Sequence, residues 1–192
     1  RLSPYLHYGH VSPFRIAREA SAFDSEGARK FLDELLVWRE MAYHWCSRVR
    51  SPGWESLPRW AKRELVREKS ARRPALYAWE ELRRAKTEDP VWNLCQLSLL
   101  LHGELHGALR MVWGKMFLRW TKDPQTGLRW MTDLNHRFAL DGRDPVSYGG
   151  LLWCFGLFDR PFQPPSPVYG TVRSLDVPGA VARLDTTAFA RR

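Results

Sequence analysis

The sequence has no pair of closely spaced cysteines. Cys46, Cys95 and Cys154 are scattered and odd in number, which speaks against a disulfide framework and against a CxxC-type zinc site. Small buried thiols in a reducing cytoplasm are the simpler expectation, and no metal ligands are assigned. No apolar run reaches the length of a membrane span, and no signal peptide opens the chain. There is no internal repeat and no apolar–polar alternation of the kind a half-buried strand needs. An initiator Met is also missing. The chain starts abruptly on RLSPYL, and so reads as a piece of a longer protein.

What is present in quantity is tryptophan and positive charge. Ten tryptophans stand in 192 residues, and the formal net charge is +9. The length is enough for one good core. The charge suggests a polyanion partner, or only a solvated basic surface. Helical periodicity runs from Ser12 to Phe158, with four helix starts of Ser-Pro or Asp-Pro type. The prediction is an all-α domain of about seven to nine helices occupying residues 1–192. Residues 161–192, opening with PFQPPSP, form a proline-rich, mostly irregular tail.

The most informative stretch is Asp89 to Trp120. Asp89 and Pro90 suit a helix start, Leu94, Leu97 and Leu101 recur at helical spacing, and Gly103 marks a break. A second helix from about Glu104 carries Leu105, Leu109, Val112 and Met116 as an apolar stripe. Trp113 and Trp120 lie seven apart, on one face. Arg110 sits among them, and a buried guanidinium needs a carboxylate or an anionic ligand. A core helical hairpin with an incidental Arg is the plain alternative.

Upstream, Arg1 to Gly9 reads as a loop broken by Pro4 and Gly9. Ser12 caps a short helix, and residues 26–48 form a longer one with Phe31, Leu35, Trp38, Ala42 and Trp45 on one face. Glu34 and Trp38 are i,i+4 neighbours, most simply a rim carboxylate packed on an indole. Two basic helices, 60–69 and 74–86, are expected, and Arg63, Arg67, Arg72, Arg73, Arg83 and Arg84, on and between them, face solvent. Helices beginning at Asp123-Pro124 and Asp144-Pro145 follow, the last extending over Ser147 to Phe158.

The runs DPVWN..Q, HG.LRMVWGK...RW and LN....LDGRDP.SY...W resemble the flavin-binding domain of DNA photolyases and cryptochromes, most nearly the class II cyclobutane pyrimidine dimer photolyases. The similarity spans Leu2 to about Arg173, and YAWEELRRAKTEDP resembles that family's YTLEEL..AKT.DP. The resemblance implies an FAD cofactor and DNA containing pyrimidine dimers as partner, for a monomer without a membrane anchor. It implies light-driven repair by electron transfer from excited reduced FAD. Arg110 and Asp141 match the family's pair beside the isoalloxazine, Asn135 the asparagine facing N5, and Ser3 a phosphate-contacting serine. Without the match, Ser3 is a turn residue and the DG at Asp141 a plain turn. Trp92, Trp113 and Trp120 match the tryptophan chain that photoreduces the flavin, with Trp113 nearest the ring and Trp120 towards the surface. Glu34 matches a dimer-bonding carboxyl, Trp38 and Trp153 the tryptophans that sandwich the lesion, and Met111 a cavity methionine. Arg160 and Arg173 match residues near the DNA backbone.

The chain also departs from the family. DGRDPNGY becomes DGRDPVSY, with Val146 in place of Asn. In D..WGER.VFGKIRYM, which becomes DRPFQPPSPVYGTVRSLD, the aromatic is kept in kind at Phe162 but Thr171 replaces a Lys. A cryptochrome-like photoreceptor without repair activity would share the fold, the flavin site and the tryptophan chain. The dimer-binding trio Glu34, Trp38 and Trp153 favours repair. A helical DNA-binding module without flavin would leave Arg110, Asn135 and Asp141 together by coincidence.

Overall fold

A computed structural model describes residues 2–174. The described residues are all-α, with one isolated β-bridge between Ser166 and Gly170. In order the helices are α1 (Ser3–His7), α2 (Pro13–Ser21), α3 (Glu26–Asp33), α4 (Arg39–Arg48), α5 (Arg59–Arg67), α6 (Trp79–Arg83), α7 (Pro90–His102), α8 (Gly107–Trp120), α9 (Pro124–Phe138) and α10 (Pro145–Trp153). A π-helical turn, Glu34–Trp38, joins α3 to α4 without a break, so residues 26–48 form one rod.

The start signals work through identifiable bonds. Asp89, Asp123 and Asp144 each accept a backbone N–H of the first turn, from Trp92, Thr126 and Val146. The proline that follows each takes a position whose N–H would be unsatisfied anyway. Gly103 ends α7 in the left-handed region at φ 67°, and a Cβ there would meet Leu140 Cγ at 2.6 Å. Only glycine suits that corner.

Several boundaries differ from the sequence reading. Residues 1–9 are not all loop: α1 forms because Pro4 falls in its first turn, where proline breaks nothing. The expected helix over 74–86 shrinks to α6, with an extended lead-in whose Tyr77 N–H donates to the Trp120 carbonyl. The last helix stops at Trp153. On α7 the buried face is Trp92, Cys95, Gln96 and Leu99, while Leu97 and Leu101 are exposed. Apolar residues surround that helix, so periodicity could not choose its face. Arg73 is half-buried and donates to the carbonyls of Thr121, Glu68 and Ala71. It is a backbone staple rather than a solvent-facing charge. The tail over 161–174 is irregular, as expected, yet Val168, Tyr169 and Val172 are buried in the core. The remainder of the tail, 175–192, lies outside the described residues.

Helix α8 is the hub and packs against α7, α9 and α10. Nine of its residues, from Leu109 to Trp120, are buried, Lys115 among them. The Lys115 ammonium donates to the carbonyls of Cys154 at 2.8 Å and Arg173 at 2.6 Å, tying both the end of α10 and the tail to the hub. No carboxylate pairs with it among the described residues, and burial pushes its pKa down to about 8.

This gives a signed prediction. Between about pH 8 and 10.5 the unfolded chain holds more protons on Lys115 than the native one, so stability contributed by this group rises with pH. Relative to Lys115→Met, the wild-type protein should gain about 2 kcal/mol between roughly pH 7.5 and 9.5 in denaturant titrations. Parallel pH curves for the two proteins would contradict it.

Candidate functional site

Arg110 lies in the first half of α8, and Asp141 in the tight turn after α9. The guanidinium grips the carboxylate with two bonds, Nη2 to Oδ1 at 2.9 Å and Nη1 to Oδ2 at 3.3 Å. Both side chains are largely buried, at 14% and 13% exposure, so each charge requires the other. Asn135, on the last turn of α9, is fully buried. Its Nδ2 donates to Ser147 Oγ at 2.8 Å and the Gly142 carbonyl at 3.1 Å, and lies 3.4 Å from His136 Nδ1. The turn folds tightly onto α9, since a Cβ on Gly142 would meet the Asn135 carbonyl oxygen at 2.7 Å. The same segment thus carries Asp141 back to Arg110 and supplies a carbonyl to Asn135.

Three buried polar atoms in this cluster have no protein partner: Arg110 Nε, Asn135 Oδ1 and His136 Nε2. An unsatisfied buried group costs about 1–3 kcal/mol, so three together are a signature of a ligand site. Arg110 Nε is a donor and Asn135 Oδ1 an acceptor. A ligand offering both an acceptor and an N–H would satisfy the pair. Burial and the nearby Arg143 hold the His136 pKa below its ordinary value, which keeps the imidazole neutral at neutral pH. Its Nδ1 lies beside the Asn135 amide, whose two N–H hydrogens reach Ser147 and Gly142.

An aromatic chain leads away from this cluster. Trp113, one turn beyond Arg110, lies parallel to Trp92 with ring centroids 6.3 Å apart, and Trp92 lies 5.3 Å from Trp120. Trp92 Nε1 donates to the Trp113 carbonyl and Trp113 Nε1 to Gln96 Oε1, both at 3.0 Å. These bonds lock the two inner indoles. Trp120 is itself buried, at 4% exposure. The contact nearer solvent is half-buried Tyr77, 5.2 Å beyond it. Sequence reading missed Tyr77, which sits in an extended lead-in without periodicity, and Gln96, which looks like any helical glutamine.

The second group of candidates sits on the π turn. Trp38 Nε1 donates to Asp33 Oδ2 five residues earlier at 3.0 Å, a reach that suits the wider turn; such turns are frequent at functional sites. Trp38 stacks directly on Trp153 of α10, with centroids 4.6 Å apart and planes 23° from parallel. The sequence reading had these indoles on opposite sides of a bound lesion. Here they form one double wall, and no ring fits between them, because a sandwiched ring needs about 7 Å, twice the aromatic stacking gap. Glu34 is exposed and paired with Lys30 at 2.7 Å. Met111 lies against Cys154, the residue after Trp153, with sulfurs 3.7 Å apart. Among the described residues, no hydrogen bond or ring contact links Glu34 or Met111 to Trp153.

The remaining candidates are dispersed. Ser3 is exposed at the start of α1, which is held in place by His7: its Nδ1 lies 3.2 Å from Asp144 Oδ2. That same oxygen accepts from Tyr43 on α4 at 3.0 Å. Asp144 therefore joins α1, α4 and α10, a role the sequence shows only as helix capping. Arg160 is exposed. Arg173 makes a bidentate pair with Asp159, at 2.8 and 3.1 Å, and lies over the Phe162 ring. The pair is at the surface, with the Arg173 side chain 49% exposed. A groove of about 800 Å³ between Trp54 and α9 is lined by Arg129, Arg137, Arg143 and His136, arginines to which sequence reading gave no role. Among the described residues, no group of three or more His, Cys, Asp or Glu suited to a metal occurs, and none of their helices is long and apolar enough to cross a membrane.

Comparison with known proteins adds the family. No protein-family model matches the chain. A deoxyribodipyrimidine photo-lyase of Oryza sativa subsp. japonica is 38% identical over 195 residues, covering 98% of this chain and 38% of the relative. One from Methanothermobacter thermautotrophicus is 38% identical over 91% of the chain and 39% of the relative. One from Potorous tridactylus is 34% identical over 100% of the chain and 37% of the relative. The chain thus spans less than two fifths of the length of these relatives, while 91–100% of the chain itself is matched. By these comparisons the chain is similar, over nine tenths or more of its length, to a segment of deoxyribodipyrimidine photo-lyases.

Proposed function

We propose that this chain is the flavin-holding and lesion-binding part of a deoxyribodipyrimidine photo-lyase, with FAD as cofactor and DNA containing pyrimidine dimers as substrate. The observation that carries the proposal is the buried Arg110–Asp141 pair beside Asn135, with a donor on Arg110 and an acceptor on Asn135 left without protein partners. An isoalloxazine edge has alternating N–H and carbonyl groups, so it is chemically suited to both. The chain as a whole is read as one helical domain acting as a monomer. Its three unpaired thiols fit a reducing cytoplasm.

Reduced FAD, excited by blue light, would supply the electron that splits the dimer. The protein's own contributions are positioning and electrostatics. Arg110 brings a permanent positive charge to a low-dielectric site, where it stabilises negative charge on a neighbouring ring far better than in water. Asp141 holds the guanidinium in one orientation. Asn135 offers an acceptor to an N–H. Trp113, Trp92 and Trp120 form a contiguous aromatic route for electrons between the site and the periphery, extended by Tyr77. The Trp38–Trp153 wall gives a flat apolar surface on which an extruded dimer stacks, and Glu34 can exchange its Lys30 partner for the lesion's polar edge. Extrusion costs less for a dimer than for an undamaged pair. Arg160 is exposed, with no hydrogen bond or ion pair among the described residues, and is the cation suited to a flanking phosphate.

In full-length protein, Trp113→Phe should leave flavin bound while slowing its photoreduction at least tenfold in a light-dependent absorption assay. Unchanged photoreduction would refute the aromatic route.

The lesion-binding reading makes a separate prediction. Trp153→Ala should weaken binding to dimer-containing DNA about tenfold or more, with little effect on undamaged DNA, because stacking on an aromatic contributes about 1–3 kcal/mol. Arg160→Ala should weaken both DNAs alike and lower the salt slope of binding by about one. If flavin-loaded full-length protein removes no cyclobutane dimers under blue light, repair is the wrong activity.

A further inference from the structure

Ser147 is the one residue whose side chain bonds both halves of the candidate flavin site among the described residues. Its Oγ accepts from Asn135 Nδ2 at 2.8 Å and from Arg110 Nη1 at 3.5 Å. It lies on the first turn of α10 and is 3% exposed. We propose that Ser147 is a positioning residue, which orients the Asn135 amide and couples it to the Arg110–Asp141 pair, and so determines which atom the site presents to a flavin. The proposal rests on the flavin reading above.

The argument concerns which end of the amide faces inward. Asn135 Nδ2 has two hydrogens and two acceptors for them, Ser147 Oγ at 2.8 Å and the Gly142 carbonyl at 3.1 Å, with His136 Nδ1 beside it at 3.4 Å. Ser147 is the nearest. Oδ1 is left as the free atom. Half a turn of the amide would set Oδ1 against the Gly142 carbonyl, acceptor against acceptor. Ser147 could tolerate such a turn, since a hydroxyl can donate as well as accept. Arg110 removes that freedom: by donating to the same Oγ it favours the hydroxyl as an acceptor towards Asn135. The charge on Arg110 thereby reaches Asn135 through a shared oxygen, and the site presents an acceptor to an N–H. The hydroxyl belongs to this chain in particular, because the family's DGRDPNGY run has glycine where DGRDPVSY has Ser147.

The test uses full-length protein with FAD as the probe. Ser147→Ala and Ser147→Gly should each weaken FAD binding about fivefold, the fold-change of one buried hydrogen bond, and shift the midpoint potential of the bound flavin. Ser147→Thr, which keeps the hydroxyl, should restore both. Wild-type FAD affinity and potential in both hydroxyl-free variants would overturn the proposal. So would a loss of thermal stability in the flavin-free protein with no change in either flavin measurement, since that is a purely structural role. If wild-type full-length protein binds no FAD, the flavin reading itself fails and takes this proposal with it. If only the Ser147 variants behave as wild type, the flavin reading stands and the role of Ser147 does not.

Discussion

The Arg110–Asp141 pair is the constraint on which the rest of the site depends. Neither charge could remain at this depth without the other, because leaving one buried and unpaired costs about 3–5 kcal/mol. The pair joins two elements far apart in sequence, the start of α8 and the turn after α9. Once it forms, Gly142 is close against the end of α9, Asn135 finds its carbonyl partner, and Ser147 on α10 meets both. The position of α10 then decides where Trp153 stacks on Trp38. One ion pair thus orders the cofactor-type cluster and, through α10, the aromatic wall. Lys115 supports the same arrangement from the other end, binding the last carbonyls of α10 and the tail to the hub helix.

Much of this was legible in the sequence, for physical reasons. Aspartate followed by proline is a strong helix start, and α7, α9 and α10 begin where those dipeptides stand. A guanidinium on an apolar helix demanded an acid, and Asp141 is there. The i,i+7 spacing put Trp113 and Trp120 on one face of α8, but spacing could not reveal that Trp92, from another helix, lies between them in space. What stayed hidden depends on tertiary contact. The buried face of α7 was misread because its apolar residues encircle it. Arg73 looked like a solvent-facing cation, yet it staples backbone carbonyls, and the pairing of Arg173 with Asp159 had no sequence signal. The π turn has no sequence signal at all, although it shapes the placement of Trp38.

The Trp38–Trp153 contact changes how a lesion can be accommodated. A slot between two indoles would require them to stand apart, exposing four apolar faces before substrate arrives. Direct stacking hides two of those faces and leaves two, so the wall is already consolidated in the protein alone. Under the proposed function, a dimer would add to an existing stack instead of opening one. The Asp33–Trp38 bond fixes the tilt of the Trp38 indole, so that under the proposed function the wall would offer an extruded lesion one stacking plane.

The cluster around Asn135 is costly to the isolated fold. Three buried polar atoms without partners oppose folding by several kcal/mol in total, at about 1–3 kcal/mol each. The core tolerates this because α8 buries Trp113, Phe117 and Leu118 completely, along with Trp92 from α7, and large buried aromatics contribute about 1.5–3 kcal/mol apiece. A ligand that satisfies the orphaned atoms recovers that cost as binding free energy and adds to stability by mass action. The same atoms that weaken the protein alone therefore provide affinity when the site is filled. This accounts for a fold that keeps a polar cluster at its centre, where an apolar one would pack more simply.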